Sequence, residues 1–474
     1  MSFTEYRFFI FFVIVYAIMW IVKWLFLKKS VFTDLNKIIL LLTSYVLVFI
    51  VDWKFCVSLF AVTAIVYFVA VALDRNQKSR KILLSVGVIC VLGQLAFFKY
   101  FNFFSESIGA LLGNDFVTLN LIAPLGISFY SFSAIGYIVD VYRKKYSATS
   151  NFIDVALYIS FFPKLVSGPI VKPEKFFSQL DDKHCVSLKN LETGIQIVLA
   201  GMFKKMVLAD NLAVFVNDVF ASPDAFNGIT VLFAMVSYSL QIYFDFAGYS
   251  DIAIGFAKIL GFDFDKNFNL PYVSLNPTQF WKRWHISLSQ WLQEYLYFSL
   301  GGNRKGKIRT NINLVLTMLI GGLWHGANTT FIVWGGINGL ALVVHKCFAK
   351  RIKIKSDSFA VKLISVVSCF IFATFTWVFF RAASFENAAE MFTGLTNSNG
   401  IVQLYSWTFV AIAFSIAESI FATIRKKQNN GKISAEYLIM DLTKISGLTL
   451  FFVFAGITVL LAYIGNTAFI YGNF

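Results

Sequence analysis

The chain has 474 residues, of which 58% are hydrophobic and only 14% are charged. Its mean hydropathy of +0.69 is far above that of an ordinary water-soluble domain. The aromatic share of 18% suits a protein that faces lipid over much of its surface. This composition excludes a soluble globular enzyme. It predicts an all-α, polytopic membrane protein with roughly 10–13 transmembrane or re-entrant helices.

Positive charge dominates, because 41 Lys and Arg residues stand against 26 Asp and Glu residues and give a net charge of +15. Lys and Arg collect in the cytoplasmic loops of membrane proteins, so the surplus predicts topology rather than a nucleic-acid partner. The basic clusters lie at 28–29, 75–81, 143–145, 304–309, 350–355 and 425–432. If all are cytoplasmic, both chain ends lie outside. Lys204 and Lys205 do not fit this scheme, which leaves a wet cavity or a misplaced helix as explanations.

The apolar runs predict the spanning helices in chain order. The first run, 6–27, is longer than the core of a signal peptide and is interpreted as a retained helix. Two runs exceed one helix: 38–73, interrupted by Asp52, predicts two short helices, and 311–346 predicts a hairpin. The other runs are 82–100, 119–140, 191–210, 229–247, 360–380, 404–423 and 446–465.

Two further stretches are hydrophobic but lack the pattern of an ordinary membrane-spanning helix. Residues 152–177 carry three prolines and a glycine that break a helix, which indicates a re-entrant or surface segment. Residues 276–300 have aromatic and apolar residues at helical spacing, which predicts one amphipathic helix at the cytoplasmic interface or dipping into the protein. The five cysteines are scattered and show no metal-ligand spacing, so the sequence predicts neither a disulfide framework nor a metal site.

Four histidines are candidates for chemistry near neutral pH. His184 lies in a polar stretch typical of a solvated loop, and the pattern around His345 is that of an interfacial residue. His325 lies in the stretch GGLWHGA, at the end of an apolar arm about 21 Å long at 1.5 Å per residue. That arm places His325 deep in the bilayer, where an ionisable group is costly unless it faces a cavity or a partner. The sequence therefore predicts a function, with a buried imidazole that ties two helices together as the alternative.

Other polar residues in apolar surroundings give weaker patterns. His285 lies among tryptophans beside Lys282, where packing at the interface and a functional role are equally consistent with the pattern. Asp245 and Asp251 lie in an aromatic stretch and are candidates to orient a histidine or to line a polar tunnel. Helix capping is the alternative for Asp251. The sequence lacks HxxxxD, GxSxG and P-loop motifs, which lowers the support for serine-nucleophile and nucleotide-driven mechanisms.

Several motifs resemble the membrane-bound O-acyltransferase (MBOAT) superfamily, and within it the bacterial alginate and peptidoglycan O-acetyltransferase branch. They are QIYFDFAGYSDIAIG at 241–255, FWKRWHISLS at 280–289, LGGNR at 300–304 and GLWHG at 322–326, with support from 124–130, 160–170 and 377–381. The sequence shows no linker between two domains and no repeat of fixed period, so we expect one membrane domain, built around a central tunnel. Its parts are peripheral helices at 1–118, a catalytic core at 119–400, and C-terminal helices with an extracytoplasmic tail at 401–474.

The resemblance also implies roles for individual residues. His325 is the family's essential histidine, which would act as the general base, and His285 is its second functional polar position. Trp324 joins Asp245 and Asp251 as a candidate tunnel or orienting residue. The implied donor is cytoplasmic acetyl-CoA, and the implied acceptor is a polysaccharide outside the bacterial inner membrane. Basic side chains would meet the phosphates of the donor: Lys282, Arg283, Arg304, Lys305 and Arg309.

The chain ends in a segment, 468–474, that resembles the aromatic tail of this branch, although Gly472 and Asn473 depart from its usual Phe-Gln. A related D-alanylation system uses a tail tyrosine as an acyl relay, which makes Tyr471 the relay candidate here. The relay would pass the acetyl group to an extracytoplasmic acetyltransferase partner of SGNH type. Two alternatives stay open: D-alanyl transfer to teichoic acid, and a transporter or flippase without acyl chemistry. A transporter predicts two symmetric halves, which the sequence does not show.

Overall fold

The computed structural model describes residues 3–25, 29–113, 117–119, 121–166, 168–180, 186–348, 358–428, 439–465 and 470. Over these ranges the chain is all-α, with nineteen α-helices and a single isolated β-bridge between Phe226 and Ile401. Eight of the described helices are long and apolar enough to cross a membrane. Phe49, Phe60 and Ile89 on these helices are 62%, 53% and 67% exposed, as lipid-facing side chains are. The predicted all-α, polytopic membrane fold is thus confirmed.

The first compact unit consists of Met1–Val198 and Ser250–Asp265. The apolar run 38–73 forms two helices as predicted, and the side chain of Asp52 caps the second by accepting a hydrogen bond from the Lys54 N–H at 2.9 Å. The two helices are not short, however, since each has 23 residues. The helices that begin in this unit are α1 (Tyr6–Leu25), α2 (Lys29–Val51), α3 (Trp53–Arg75), α4 (Arg80–Leu112), α5 (Ile127–Tyr142), α6 (Phe152–Ser160), α7 (Phe162–Leu165), α8 (Pro173–Leu180) and α9 (Leu188–Met202).

The second compact unit consists of Leu199–Tyr249 and Lys266–Phe474. It contains the end of α9, a π-helical turn at Phe203–Ala209 and most of α11, whose last residues belong to the first unit. The further helices are α10 (Asp210–Ala221), α11 (Gly228–Ile259), α12 (Pro277–Trp281), α13 (Ile286–Trp291), α14 (Gly306–His325), α15 (Thr329–Phe348), α16 (Phe359–Arg381), α17 (Phe385–Gly394), α18 (Ser406–Gln428) and α19 (Ile445–Leu461). The unit boundaries differ from the predicted segment boundaries at 118 and 400, and the single membrane domain stays a prediction.

Two sequence predictions for this unit have different outcomes. The hairpin predicted for 311–346 is confirmed as α14 and α15. The single amphipathic helix predicted for 276–300 is wrong, because the segment forms α12, α13 and a π-helical turn at Leu292–Tyr297, with a break at His285. The apolar periodicity continues across this break, so the spacing of side chains alone did not reveal it.

Glycines let α14 and α15 approach each other closely. A Cβ atom at Gly322 would lie 2.2 Å from the carbonyl oxygen of Phe331, and one at Gly335 would lie 2.3 Å from that of Met318. Because these neighbours are main-chain atoms, no side-chain rotation can relieve either contact. The two glycines therefore fix the distance between the helices at the level of His325.

Candidate active site

His325 is the last residue of α14 and is only 4% exposed. Aromatic rings surround its imidazole. Their centroids lie 4.8 Å away for Trp324, 5.4 Å for Trp334 and 5.1 Å for Phe380. These rings come from α14, α15 and α16, so three helices build the site. Such an apolar enclosure excludes water, which would otherwise compete with an acyl acceptor.

His285 lies between α12 and α13, outside the spanning helices, and is 1% exposed. Its backbone has a φ of +41°, a left-handed conformation that is unusual for a residue with a side chain. Burial lowers the pKa of this histidine to about 3, which keeps the imidazole neutral. The Nδ1 atom lies 3.2 Å from Oδ1 of Asn267, and the ring of Phe246 meets the imidazole edge to face at 4.6 Å.

Trp324 brings the two histidines together. Its ring centroid lies 6.3 Å from that of His285 and 4.8 Å from that of His325. Three residues that the sequence singled out thus form one buried cluster within the second unit.

A cavity with a volume of 810 Å³ lies near this cluster. Its wall includes Trp281, whose ring is 5.6 Å from that of Trp334, which in turn contacts His325. The cavity has both apolar and polar surface, and it carries two lysines, Lys282 and Lys346. Its volume is within the range of about 300–1,000 Å³ that is usual for small-molecule sites.

Only one of the basic residues predicted to bind the donor lines the cavity. Lys282 lines the cavity, whereas Arg283 directs its guanidinium to the carbonyl oxygen of Leu270 at 3.4 Å. Arg304, Lys305 and Arg309 are exposed and lie outside the cavity wall, close in sequence to its lining residue Asn303.

Sequence reasoning missed part of this cavity. His345, predicted to be merely interfacial, lines the cavity, and its Nδ1 lies 2.9 Å from Oγ1 of Thr278. Lys346 lines it too, although it lies outside the basic clusters used to predict topology. Asn267 was also missed, because an isolated asparagine in a loop has no spacing pattern that indicates a role.

Asp245 on α11 belongs to a buried ion cluster. Its Oδ1 lies 2.6 Å from Nζ of Lys205, which also pairs with Asp210 at 2.6 Å. Within the described part of the chain, Asp245 thus pairs with Lys205 rather than with either histidine. Its Oδ2 accepts a hydrogen bond from the main-chain N–H of Ile470 at 2.8 Å.

The two lysines that conflicted with the charge-based topology are both paired. Lys205 is 3% exposed and bound by two carboxylates, and Lys204 lies 2.9 Å from a carboxylate oxygen of Glu418. Buried carboxylates are a third explanation, besides the wet cavity and the misplaced helix, for cations at this level.

The remaining candidates from the sequence are Asp251, Tyr471 and His184. Asp251 lies in the interior of α11 and is 6% exposed, so the helix-capping alternative is wrong. The relay candidate Tyr471 and His184 lie outside the described residues. Among the residues that are described, no group of three or more His, Cys, Asp or Glu side chains is arranged to hold a metal ion.

Comparison with known proteins gives the chain a family. The model of the membrane-bound O-acyltransferase family matches residues 141–385, a range that contains α11 to α16 and both histidines. The peptidoglycan O-acetyltransferase of Helicobacter pylori is 38% identical over 71% of this chain and 69% of its own length. The probable alginate O-acetylase AlgI of Azotobacter vinelandii is 39% identical over 76% of this chain and 72% of its own.

A more distant relative is the teichoic acid D-alanyltransferase of Bacillus subtilis, which is 28% identical over 56% of this chain and 71% of its own length. The matches therefore extend well beyond the short motifs around the two histidines, and they decide between an enzyme and a transporter. This chain belongs to the membrane-bound O-acyltransferase family and is a multi-pass membrane acyltransferase.

Proposed function

We propose that this protein is an O-acetyltransferase of the bacterial inner membrane that moves an acetyl group from cytoplasmic acetyl-CoA to hydroxyls of an extracellular or cell-wall polysaccharide. Alginate and peptidoglycan are the candidate polymers, because the relatives at 38–39% identity are named for them. The observation that carries the proposal is the buried cluster of His285, Trp324 and His325 next to a cavity that holds two lysines.

The chemistry follows from a buried imidazole beside a thioester. His325 removes the proton from an acceptor hydroxyl while the hydroxyl oxygen attacks the thioester carbonyl carbon. The new C–O ester bond forms, the C–S bond breaks, and the proton passes from the imidazolium to the departing thiolate of coenzyme A. The aromatic enclosure of His325 supports this step, because it keeps water from hydrolysing the thioester.

The 810 Å³ cavity is the proposed donor site. Lys282 and Lys346 would bind the phosphates of acetyl-CoA, while leucines in the wall would contact the pantetheine arm. The ring contacts from Trp281 to Trp334 and on to His325 connect the cavity wall to the proposed base. No permanently bound cofactor is needed for this transfer.

Transfer to the outside is proposed to use a partner. Tyr471 would receive the acetyl group on its phenol oxygen and pass it to an extracytoplasmic acetyltransferase of SGNH type, which would acetylate the polymer. The hydrogen bond from Ile470 to Asp245 supports this route, because it holds the residue before Tyr471 in the unit that carries both histidines. D-alanyl transfer to teichoic acid is the alternative, and the lower identity of 28% to the D-alanyltransferase favours it less.

The test uses purified protein in lipid nanodiscs with radiolabelled acetyl-CoA, together with acetylation of the polymer in cells. Wild-type protein should turn over the thioester, and His325→Ala should insert into the membrane but lose turnover and polymer acetylation. His184→Ala, which replaces the predicted loop histidine, is the matched control and should keep both. Full acetylation by the His325→Ala protein would refute the mechanism, and turnover of a D-alanyl donor alone would favour the alternative.

A further inference from the structure

Asn267 contacts His285 with its side chain and the next residue, Ile286, with its main chain. We propose that Asn267 is a positioning residue that fixes the Nδ1–H tautomer of His285, so that the bare Nε2 accepts a hydrogen bond from an N–H or O–H group of the bound substrate. The tautomer stands on the geometry alone, whereas the part played by the substrate rests on the proposed function.

The contacts of Asn267 are dense and buried. The residue lies in the loop between α11 and α12 and is 1% exposed. Its Oδ1 accepts hydrogen bonds from the N–H of Ser287 at 3.1 Å and from the hydroxyl of Ser287 at 2.8 Å, and it faces Nδ1 of His285 at 3.2 Å. Its main-chain carbonyl oxygen accepts from the N–H of Ile286 at 2.8 Å. The side chain thus contacts both His285 and Ser287, the residues on either side of Ile286, where α13 begins.

The orientation of the Asn267 amide follows from one main-chain group. Side-chain amide oxygen and nitrogen are assigned from their partners, and the N–H of Ser287 can only donate. The atom that faces it must therefore be the oxygen, because an amide NH₂ group offers no acceptor. In this orientation Nδ2 of Asn267 has no hydrogen-bond partner within the described part of the chain, so no contact favours the opposite placement.

The tautomer of His285 follows from that orientation. Oδ1 cannot donate, so Nδ1 of His285 must carry the hydrogen that lies between them. A neutral imidazole carries one ring hydrogen, and full burial among Phe246, Phe268 and Trp324 favours the neutral form. These three rings contain no ionisable group. Nε2 is therefore a bare acceptor.

Nε2 lies at the end of the imidazole opposite the Nδ1 that Asn267 contacts. Nε2 of His285 is buried and has no hydrogen-bond partner among the residues that the structure describes. A buried acceptor without a partner is costly, so each one in a native structure calls for an explanation, of which a catalytic role is one. A bare nitrogen cannot donate to a carbonyl oxygen or to an oxyanion. It can accept from an N–H or O–H donor, so His285 would contact a donor group of the substrate other than the hydroxyl whose proton His325 removes, and not the thioester carbonyl.

The left-handed backbone of His285 supports a positioning role for Asn267. A φ of +41° is strained for a histidine, and such strain persists only where surrounding contacts enforce it. The hydrogen bonds from Ile286 and Ser287 to Asn267 enforce it on one side, and that from the N–H of Ser289 to the carbonyl oxygen of His285 does so on the other. These hydrogen bonds hold the main chain of His285 in one conformation and thereby restrict the direction of its imidazole.

The experiment is NMR of the full chain in nanodiscs with ¹⁵N- and ¹³C-labelled histidine. The chain has only four histidines, and a difference spectrum against His285→Gln assigns the signal of interest. Wild-type His285 should show a protonated Nδ1 and a bare Nε2 near neutral pH. Asn267→Leu removes the acceptor and should shift the signal toward the Nε2–H tautomer. A wild-type Nε2–H tautomer, an imidazolium, or an unchanged signal in a folded Asn267→Leu protein would each overturn the proposal.

Asn267→Asp is the conservative variant and keeps the test decisive if the leucine variant does not fold. Aspartate accepts the same hydrogen bonds, so the tautomer and most of kcat should be retained. Its negative charge next to the imidazole should raise the pKa of His285 and thereby move the acidic limb of the pH–rate profile upward by about 1–3 pH units. A loss of rate without such a shift would refute the assignment. A protein with the expected NMR signal but no acetyl transfer would refute the proposed function and leave the tautomer standing.

Discussion

Adjacent glycines in α15 offer a matched pair of substitutions. A Cβ atom at Gly335 would lie 2.3 Å from the main-chain oxygen of Met318, whereas one at Gly336 would lie 3.4 Å from a methyl group of Leu319. Only the first contact is forbidden. Gly335→Ala must move α15 away from α14 by about 0.7 Å before the contact becomes tolerable.

The free energies of the two variants differ by this contact alone. Replacing glycine with alanine inside a helix stabilises it by about 1 kcal/mol, and this gain is common to both. Overpacking at Gly335 costs about 1–3 kcal/mol, so Gly335→Ala should be less stable than Gly336→Ala by that amount. The displacement also moves Trp334, the neighbour of Gly335, relative to His325. A misplacement approaching 1 Å costs up to about 100-fold in rate.

Two measurements test this reasoning: thermal unfolding in nanodiscs and the rate of acetyl transfer from labelled acetyl-CoA. Gly336→Ala should match or exceed the wild-type unfolding temperature and keep the wild-type rate. Gly335→Ala should unfold at a lower temperature than Gly336→Ala and lose rate. If both variants behave alike in both assays, the close approach of α14 and α15 does not position the site.

The remaining predictions concern charges and the tail. Lys205→Met removes the cation that pairs with the buried carboxylates of Asp210 and Asp245 and should lower the free energy of unfolding by about 3–5 kcal/mol. The same change together with Asp245→Asn should recover part of this loss in denaturant titrations. Lys282→Gln and Lys346→Gln should each raise KM for acetyl-CoA with little change in kcat, because each removes a positive charge from the donor cavity. Each should also flatten the salt dependence of KM. An unchanged KM in steady-state assays would count against that site. Tyr471→Phe removes the phenol oxygen and should abolish acetylation of the polymer in cells, and a wild-type level would eliminate the relay.

Features that depend on residues close together in the sequence were predictable. His325 follows an apolar arm and lies between glycines, so its burial and the α14–α15 hairpin follow from helix length and spacing. Asp52 interrupts an apolar run and is a residue type that caps helices, which is why the split of 38–73 was predictable.

Features that depend on contacts distant in sequence were not predictable. Lys204 pairs with Glu418, more than 200 residues away, and nothing near either residue indicates the other. His285 looked like one more residue on a helix face, since periodicity records which side chains are apolar and not where φ becomes positive. Asn267 gained a role only when folding placed its amide against the histidine.

The hydrogen bond between Ile470 and Asp245 uses a main-chain N–H, so it is insensitive to which side chain stands at 470. Every residue except proline supplies that donor. Other substitutions at this position should therefore keep the hydrogen bond, whereas Ile470→Pro removes its donor and a single deletion between Tyr463 and Ile470 would bring a different residue to the anchor. Residue 470 is thus constrained in register rather than in composition, and a sequence that departs from the usual tail at Gly472 and Asn473 leaves the main-chain donor at 470 unchanged.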